Sequence, residues 1–221
     1  METTTTMTAG ANALTAVPET GEDILDIAFL AEDHARGGIS NPVLGMILFI
    51  ASEVMFFSGL FAAYFNIRSA APFWPPAGNI DFNLREHLPI AAFLTLVLIT
   101  SSVTCQIGLW AIRRGDRTAL VRAFTITIVL GAFFLAGQLY DYTTLGFGVN
   151  DGPFGSTFYT LTGFHGAHVF AGVVMLGVIL YRGMAGQFSA RHHDAVEAAS
   201  LYWHFVDVVW ICLFSLLYLL S

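Results

Sequence analysis

Five ionisable side chains stand inside long apolar runs, where no water is at hand to hold a charge: Glu53, His165, His168, His204 and Asp207. Carboxylates and imidazoles bind metals and haem, and they also carry protons, so spacing has to decide between these chemistries. His165 and His168 are three residues apart, as are His204 and Asp207, which puts each pair on one face of a helix. Counted from the ends of their runs, Glu53, His168 and Asp207 come to similar depth, and carboxylates and histidines on facing helices are what a metal centre in a bundle core is made from. The count argues against such a centre. A di-iron site requires Glu-x-x-His on each of two helices, and no run contains one. Axial haem ligation is a conceivable use of the histidines, whereas hydrogen bonding between helices is their common use in membranes. The expectation is therefore no metal, haem or flavin in this chain and no catalytic residue. His204 and Asp207 are expected to serve a local hydrogen bond or a helix contact.

Glu53 is the most constrained of the five. Met46, Phe49, Ile50, Phe56, Phe57 and Leu60 surround it on its own helical face, so nothing local can satisfy it. A charged acid there costs at least a few kcal/mol, about what insertion scales assign to a mid-membrane Asp. It must face the bundle interior, be protonated, or find a partner on another helix. Two uses are compatible with that: a protonated carboxyl in a packing hydrogen bond, or a proton or gating role. Matching depth predicts His168 as its partner, and otherwise His204. Gly163, Ala167 and Ala171 recur every four residues beside the histidine face, a pattern that lets another helix approach closely.

The elements that position these residues follow from composition. Of 221 residues, 56% are hydrophobic and only 11% charged, and the mean hydropathy is +0.68. A soluble domain carries about 25% charged residues, so a soluble globular protein is excluded. The net charge of −7 and the absence of any basic run exclude nucleic-acid binding. Cys105 and Cys212 both lie in apolar runs and offer neither a disulfide framework nor a thiolate cluster. Five runs are long enough to cross a hydrocarbon core of about 30 Å, at 42–67, 88–112, 119–140, 158–181 and 199–220. They do not alternate as barrel strands do, and buried backbone must pair within itself, so the fold class is all-α, a five-helix membrane bundle.

Residues 1–41 differ: they combine a Thr-rich start with seven of the sixteen acids, which predicts a mostly disordered acidic segment. A small apolar patch at Ile24, Leu25, Ile27, Phe29 and Leu30 could lie on the membrane surface or a partner, and the signature of a signal peptide is lacking. All nine basic residues are arginine. Five crossings put Arg36, Arg113, Arg114, Arg117, Arg122, Arg182 and Arg191 on one side and Arg68 and Arg85 on the other. The positive-inside rule then predicts a cytoplasmic N-terminus and an outer C-terminus. Trp74, Tyr202 and Trp203 suit the interfacial aromatic belt.

Several long strings, in order, resemble subunit III of the haem-copper respiratory oxidases, with cytochrome c oxidase first among them. They are Gly45 to Phe57 (GMILFIASEVMFF), Trp74-Pro75-Pro76, Gly155 to Val169 (GSTFYTLTGFHGAHV), and His192-His193 followed by Glu197 to Trp210 (EAASLYWHFVDVVW). The resemblance implies a subunit without redox centres, packed on subunit I, in an oxidase of the bacterial inner membrane that takes electrons from cytochrome c. Haem and copper belong to subunit I, and further copper to subunit II. The family's subunit III holds structural phospholipid in a cleft, supports proton uptake and oxygen access, and protects subunit I during turnover. By resemblance Glu53 is the family's intramembrane glutamate, Arg182 a contact for lipid phosphate, and Trp74 and His193 further lipid contacts. Longer members have seven helices, and this chain looks like the form lacking the first two, so one wall of the cleft is absent or supplied by another subunit. Asp141 stands where many members have glutamate and reads as a tolerated shortening.

Neighbouring readings are the equivalent subunit of a quinol oxidase, which shares the five-helix form, and a relative associated with nitric-oxide reductases. An independent proton channel would also use Glu53, but the chain has no inverted repeat and no broken helix pair.

Overall fold

The computed structural model describes residues 39–74 and 84–220. The acidic segment and its apolar patch lie outside the described residues, as do Pro75 and Pro76. Five helices follow: α1 (Asn41–Ala70), α2 (Leu84–Arg113), α3 (Arg117–Thr144), α4 (Gly152–Met184) and α5 (Asp194–Phe214), the last continued by a π-helical turn (Ser215–Leu219). All five are long and apolar enough to cross a membrane, and there is no strand among the described residues.

The first four helices contain their predicted spans and run past them at both ends, whereas α5 starts five residues before its span and, with its π-helical turn, stops at Leu219, one residue short of the predicted end. Hydropathy reports only the stretch that suits hydrocarbon, while backbone hydrogen bonding continues into the interface. The extensions carry appropriate signals. Asp116 caps α3 by accepting from Ala119 N–H at 2.9 Å, and Pro153 opens α4, where its missing N–H costs nothing. Asp194 and Glu197 sit in the first turn of α5, and Arg113 and Arg182 in the last turns of α2 and α4, each complementing the helix dipole.

Packing places α5 at the centre, against α1, α2 and α4, while α3 packs on α2 and α4. Over its most apolar window α5 is 56% buried and α1 only 6%, so α1 is a peripheral helix attached along one edge. Its buried residues are Phe57 and Tyr64. The core is largely aromatic: Trp203, Trp210, Phe124, Phe134, Phe154 and Phe158 are fully buried. Trp203 fits because Gly131 and Gly172 leave it room; a Cβ on Gly131 would stand 2.6 Å from Trp203 Cη2.

One end of the bundle carries the α2–α3 turn and the α4–α5 loop, tied by Arg113 to Glu197 at 2.8 Å and by Arg117 Nε to the Phe188 carbonyl at 2.9 Å. At the opposite end Arg68 Nη2 donates to the Leu220 carbonyl at 2.6 Å, and Tyr64 donates to the Leu216 carbonyl at 3.1 Å. These contacts bring a positive charge to carbonyls that the last turn of α5 leaves free.

Candidate functional site

Glu53 on α1 and His168 on α4 meet at 2.9 Å, Oε2 to Nε2. The other ring nitrogen, Nδ1, lies 2.7 Å from the Phe164 carbonyl, which can only accept, so Nδ1 carries a proton. One further proton is then shared between Nε2 and Oε2. It rests either on the carboxyl, facing a neutral ring, or on the ring, facing a carboxylate, and the pair is neutral in both forms. That neutrality is what permits an acid at this depth. Phe56 and Phe57 pack on the imidazole with ring centroids at 6.2 and 5.0 Å, and Tyr202 donates to the His168 carbonyl at 3.1 Å. The two side chains keep 20% and 16% exposure, so the site opens on the outer surface of the α1–α4 contact rather than on the bundle core.

The other sequence-selected residues do not join this pair. His204 turns to α2, where Nε2 meets Gln106 Oε1 at 3.1 Å, in place of the alternative contact with Glu53. No hydrogen bond joins it to Asp207, although the spacing allows one; the ring is already engaged by the neighbouring helix. Among the described residues, buried Asp207 has Oδ1 unpaired and buried His165 has both ring nitrogens unpaired. His165 instead stacks on Trp210 at 5.0 Å. The histidines and acids thus diverge, and no group of three or more His, Cys, Asp or Glu among the described residues could hold a metal ion.

Sequence reasoning missed a polar seam along α2. Trp203 Nε1 donates to Ser101 Oγ at 3.0 Å, Trp210 Nε1 donates to Thr95 Oγ1 at 2.9 Å, and Thr104 meets Thr127 of α3 at 2.8 Å. The recurrence of Thr95, Ser101, Ser102, Thr104 and Gln106 on neighbouring turns was the available signal. It also missed a cluster at the end of the bundle that carries Arg68. There Asp141, almost fully buried, meets His87 Nδ1 at 2.9 Å and accepts from Tyr218 at 3.3 Å. The shorter acid is therefore more than tolerated, because it joins α2, α3 and the last turn of the chain.

Arg182 is half-buried near the end of α4. Its Nε donates to Gln187 Oε1 at 2.8 Å, and its guanidinium lies over the Phe188 ring at 4.9 Å. Among the described residues the two terminal nitrogens have no partner, so the fork is oriented but unspent. His193, which precedes the first turn of α5, is at the same end, with Nδ1 buried and unpaired. Trp74 is at the other end, edge-on to Tyr64 and Phe154 at 5.5 and 5.3 Å, its indole N–H buried and unpaired among the described residues. Phe154 and Arg182 are 28 positions apart on one helix, about 42 Å, so Trp74 and Arg182 cannot hold the same headgroup.

Between α1 and α4, on the Trp74 side, runs an open groove of about 230 Å³ lined by Leu60, Ala63, Ile67, Ser156, Thr157, Thr160 and Leu161. The three hydroxyls bond to carbonyls nearby in the chain, so the wall is apolar in effect. Gly163, Ala167 and Ala171 continue along α4 but are exposed, and a Cβ on Gly163 would meet nothing. The expected close helix contact at this stripe is not made among the described residues; Gly172, one residue on from Ala171, is the position that packs under Trp203.

Comparison with known proteins agrees with this architecture. The family model described as cytochrome c oxidase subunit III matches residues 2–221. A protein of Thermostichus vulcanus named cytochrome c oxidase subunit 3 is 43% identical over 193 residues, covering 87% of this chain and 94% of the relative. One of the same name from Synechocystis sp. is 45% identical over 191 residues, covering 85% and 80%. A probable cytochrome c oxidase subunit 3 of Mycobacterium tuberculosis is 43% identical over 195 residues, covering 86% and 94%. The uncovered 6% of the first relative is too short for two further crossings of about 20 residues each, so the five-helix length is shared. By its near-complete family match and by these identities, the chain belongs to the cytochrome c oxidase subunit III family.

Proposed function

We propose that this subunit is the redox-silent, lipid-holding wall of a proton-pumping cytochrome c oxidase in a bacterial inner membrane. It seats on subunit I, which with subunit II would hold the haem and copper and take electrons from cytochrome c. The observation that carries the reading is the Arg182 fork. Gln187 and Phe188 fix its plane at the arginine-rich end of the bundle, and among the described residues its terminal nitrogens have no partner, which suits a planar, bidentate acceptor such as a phosphate. His193 belongs to the same leaflet. In the other leaflet the apolar groove between α1 and α4 suits an acyl chain, with Trp74 at its headgroup level. The positive-inside rule puts the Arg182 end in the cytoplasm.

Glu53 and His168 complete the proposal. A neutral pair sharing one proton, open on the face that α1 leaves uncovered, can exchange that proton with a neighbouring subunit. It thereby supports proton uptake there, each proton passed on leaving the pair one unit negative until another replaces it. His165, His204 and Asp207 act structurally from inside the bundle. The exposed stripe of Gly163, Ala167 and Ala171 offers subunit I a close approach, and the lipid-filled groove beside it offers oxygen an apolar path. The test is Arg182→Ala in the assembled oxidase. Tightly bound phospholipid should fall and inactivation during turnover should accelerate while initial turnover is kept. Unchanged lipid content with unchanged inactivation would reduce Arg182 to a topological arginine.

A further inference from the structure

Two buried clusters contain polar atoms that make no well-formed hydrogen bond among the described residues. In the first, His165 of α4 and Gln138 of α3 are 1% and 4% exposed, with both imidazole nitrogens and Gln138 Nε2 unpaired. Phe134 joins them: its ring lies 5.9 Å from His165 and 4.8 Å from Trp210, and Gln138 is one turn further along the same face of α3. One more turn brings Tyr142, which donates to Thr162 of α4 at 2.7 Å, and Thr162 is one turn from His165. Gln138 and His165 therefore face the same space between α3 and α4. In the second cluster, Asp207 of α5 and Ser102 of α2 are each 8% exposed. Ser102 stands within side-chain hydrogen-bonding reach of the Asp207 carboxyl, yet neither its hydroxyl nor Asp207 Oδ1 makes a well-formed hydrogen bond among the described residues. Asp207 lies one turn from Trp210, the ring on which His165 stacks.

Buried polar groups in native proteins are almost always hydrogen-bonded, to ordered water when not to protein. An uncharged imidazole needs one donor and one acceptor as partners, and an amide N–H needs an acceptor. A single water can accept from Gln138 Nε2 and donate to a His165 nitrogen. Another can accept from Ser102 and donate to Asp207. We propose that the bundle interior binds ordered water at these two places, one helical turn apart along α5, with His165–Gln138 and Ser102–Asp207 as its ligands. His165 and Asp207 are then water ligands rather than metal or haem ligands. His165 and His168 are three residues apart on α4, so the proposed water lies about one helical turn from the Glu53–His168 pair.

Radiolytic hydroxyl labelling of the intact oxidase in ¹⁸O water tests this, because a side chain without solvent access is oxidised only where ordered water lies beside it. Phe124, fully buried, serves as the internal reference. Trp210 and Phe134 should be labelled several-fold more than Phe124, and the excess should disappear in His165→Phe. Labelling of Trp210 and Phe134 no higher than that of Phe124 in the unaltered protein would overturn the proposal, and needs no variant to fold. Thermal unfolding gives a second reading. With water bound, His165→Phe should leave the melting temperature unchanged or lower, whereas a dry and truly unpaired ring predicts a rise.

Discussion

Replacing His168 with leucine tests the Glu53–His168 pair most sharply. If Glu53 were a stranded charge after the substitution, the loss would approach the 3–5 kcal/mol of a broken buried ion pair, to order of magnitude. The geometry argues for less. The Phe164 carbonyl fixes the His168 tautomer, so the pair holds one shared proton, and Glu53 can keep it when His168 is gone. What is lost is one interhelical hydrogen bond between side chains 20% and 16% exposed. Such bonds are worth about 1–2 kcal/mol in membranes, and often less. His168→Leu and Glu53→Leu should therefore each destabilise, and the double variant should cost less than their sum, with a coupling of about 1–2 kcal/mol. Glu53→Gln should cost only a few tenths of that, because the amide can donate to Nε2. The assay is denaturant or thermal unfolding of the purified complex, followed by release of this subunit. Additive single variants, or a loss above about 4 kcal/mol in His168→Leu, would refute the shared-proton reasoning.

Asp141→Ala should destabilise by about 2–3 kcal/mol, because it leaves His87 and Tyr218 without their common acceptor; Asp141→Asn, which keeps an acceptor oxygen, should lose clearly less in the same unfolding assay. Gly131→Ala should cost about 1–3 kcal/mol through collision with Trp203, seen as a lower melting temperature and altered tryptophan fluorescence. Arg113→Ala should cost no more than about 1 kcal/mol, since its partner Glu197 and its own side chain are partly exposed, and the effect should shrink further in high salt.

The helices were legible because each needs a long apolar run, and nothing else in the sequence competes with that pattern. Their ends were not, and the Asp141 cluster shows the consequence. His87 precedes the predicted start of its span at Leu88, and Asp141 follows the predicted end of its span at Tyr140. Both lie just outside the apolar runs that mark the spans. The Glu53–His168 contact could be read from depth alone, because an acid with only apolar neighbours has to reach another helix. Rotamers decided what depth could not: His204 faces Gln106 rather than Asp207, and His165 faces Trp210 rather than the Glu53 site. The stripe through Gly163, Ala167 and Ala171 reads as a close helix contact in the sequence, but it stays exposed among the described residues.

The most direct test of the account is purification of the oxidase through a tag on this chain, followed by its separation from the complex. The intact preparation should contain subunits I and II, phospholipid, and the visible spectrum of haem. The separated chain should retain lipid phosphorus but no haem band and no stoichiometric iron or copper. Haem or metal travelling with the isolated chain, or purification of the chain without any haem-bearing partner, would contradict it.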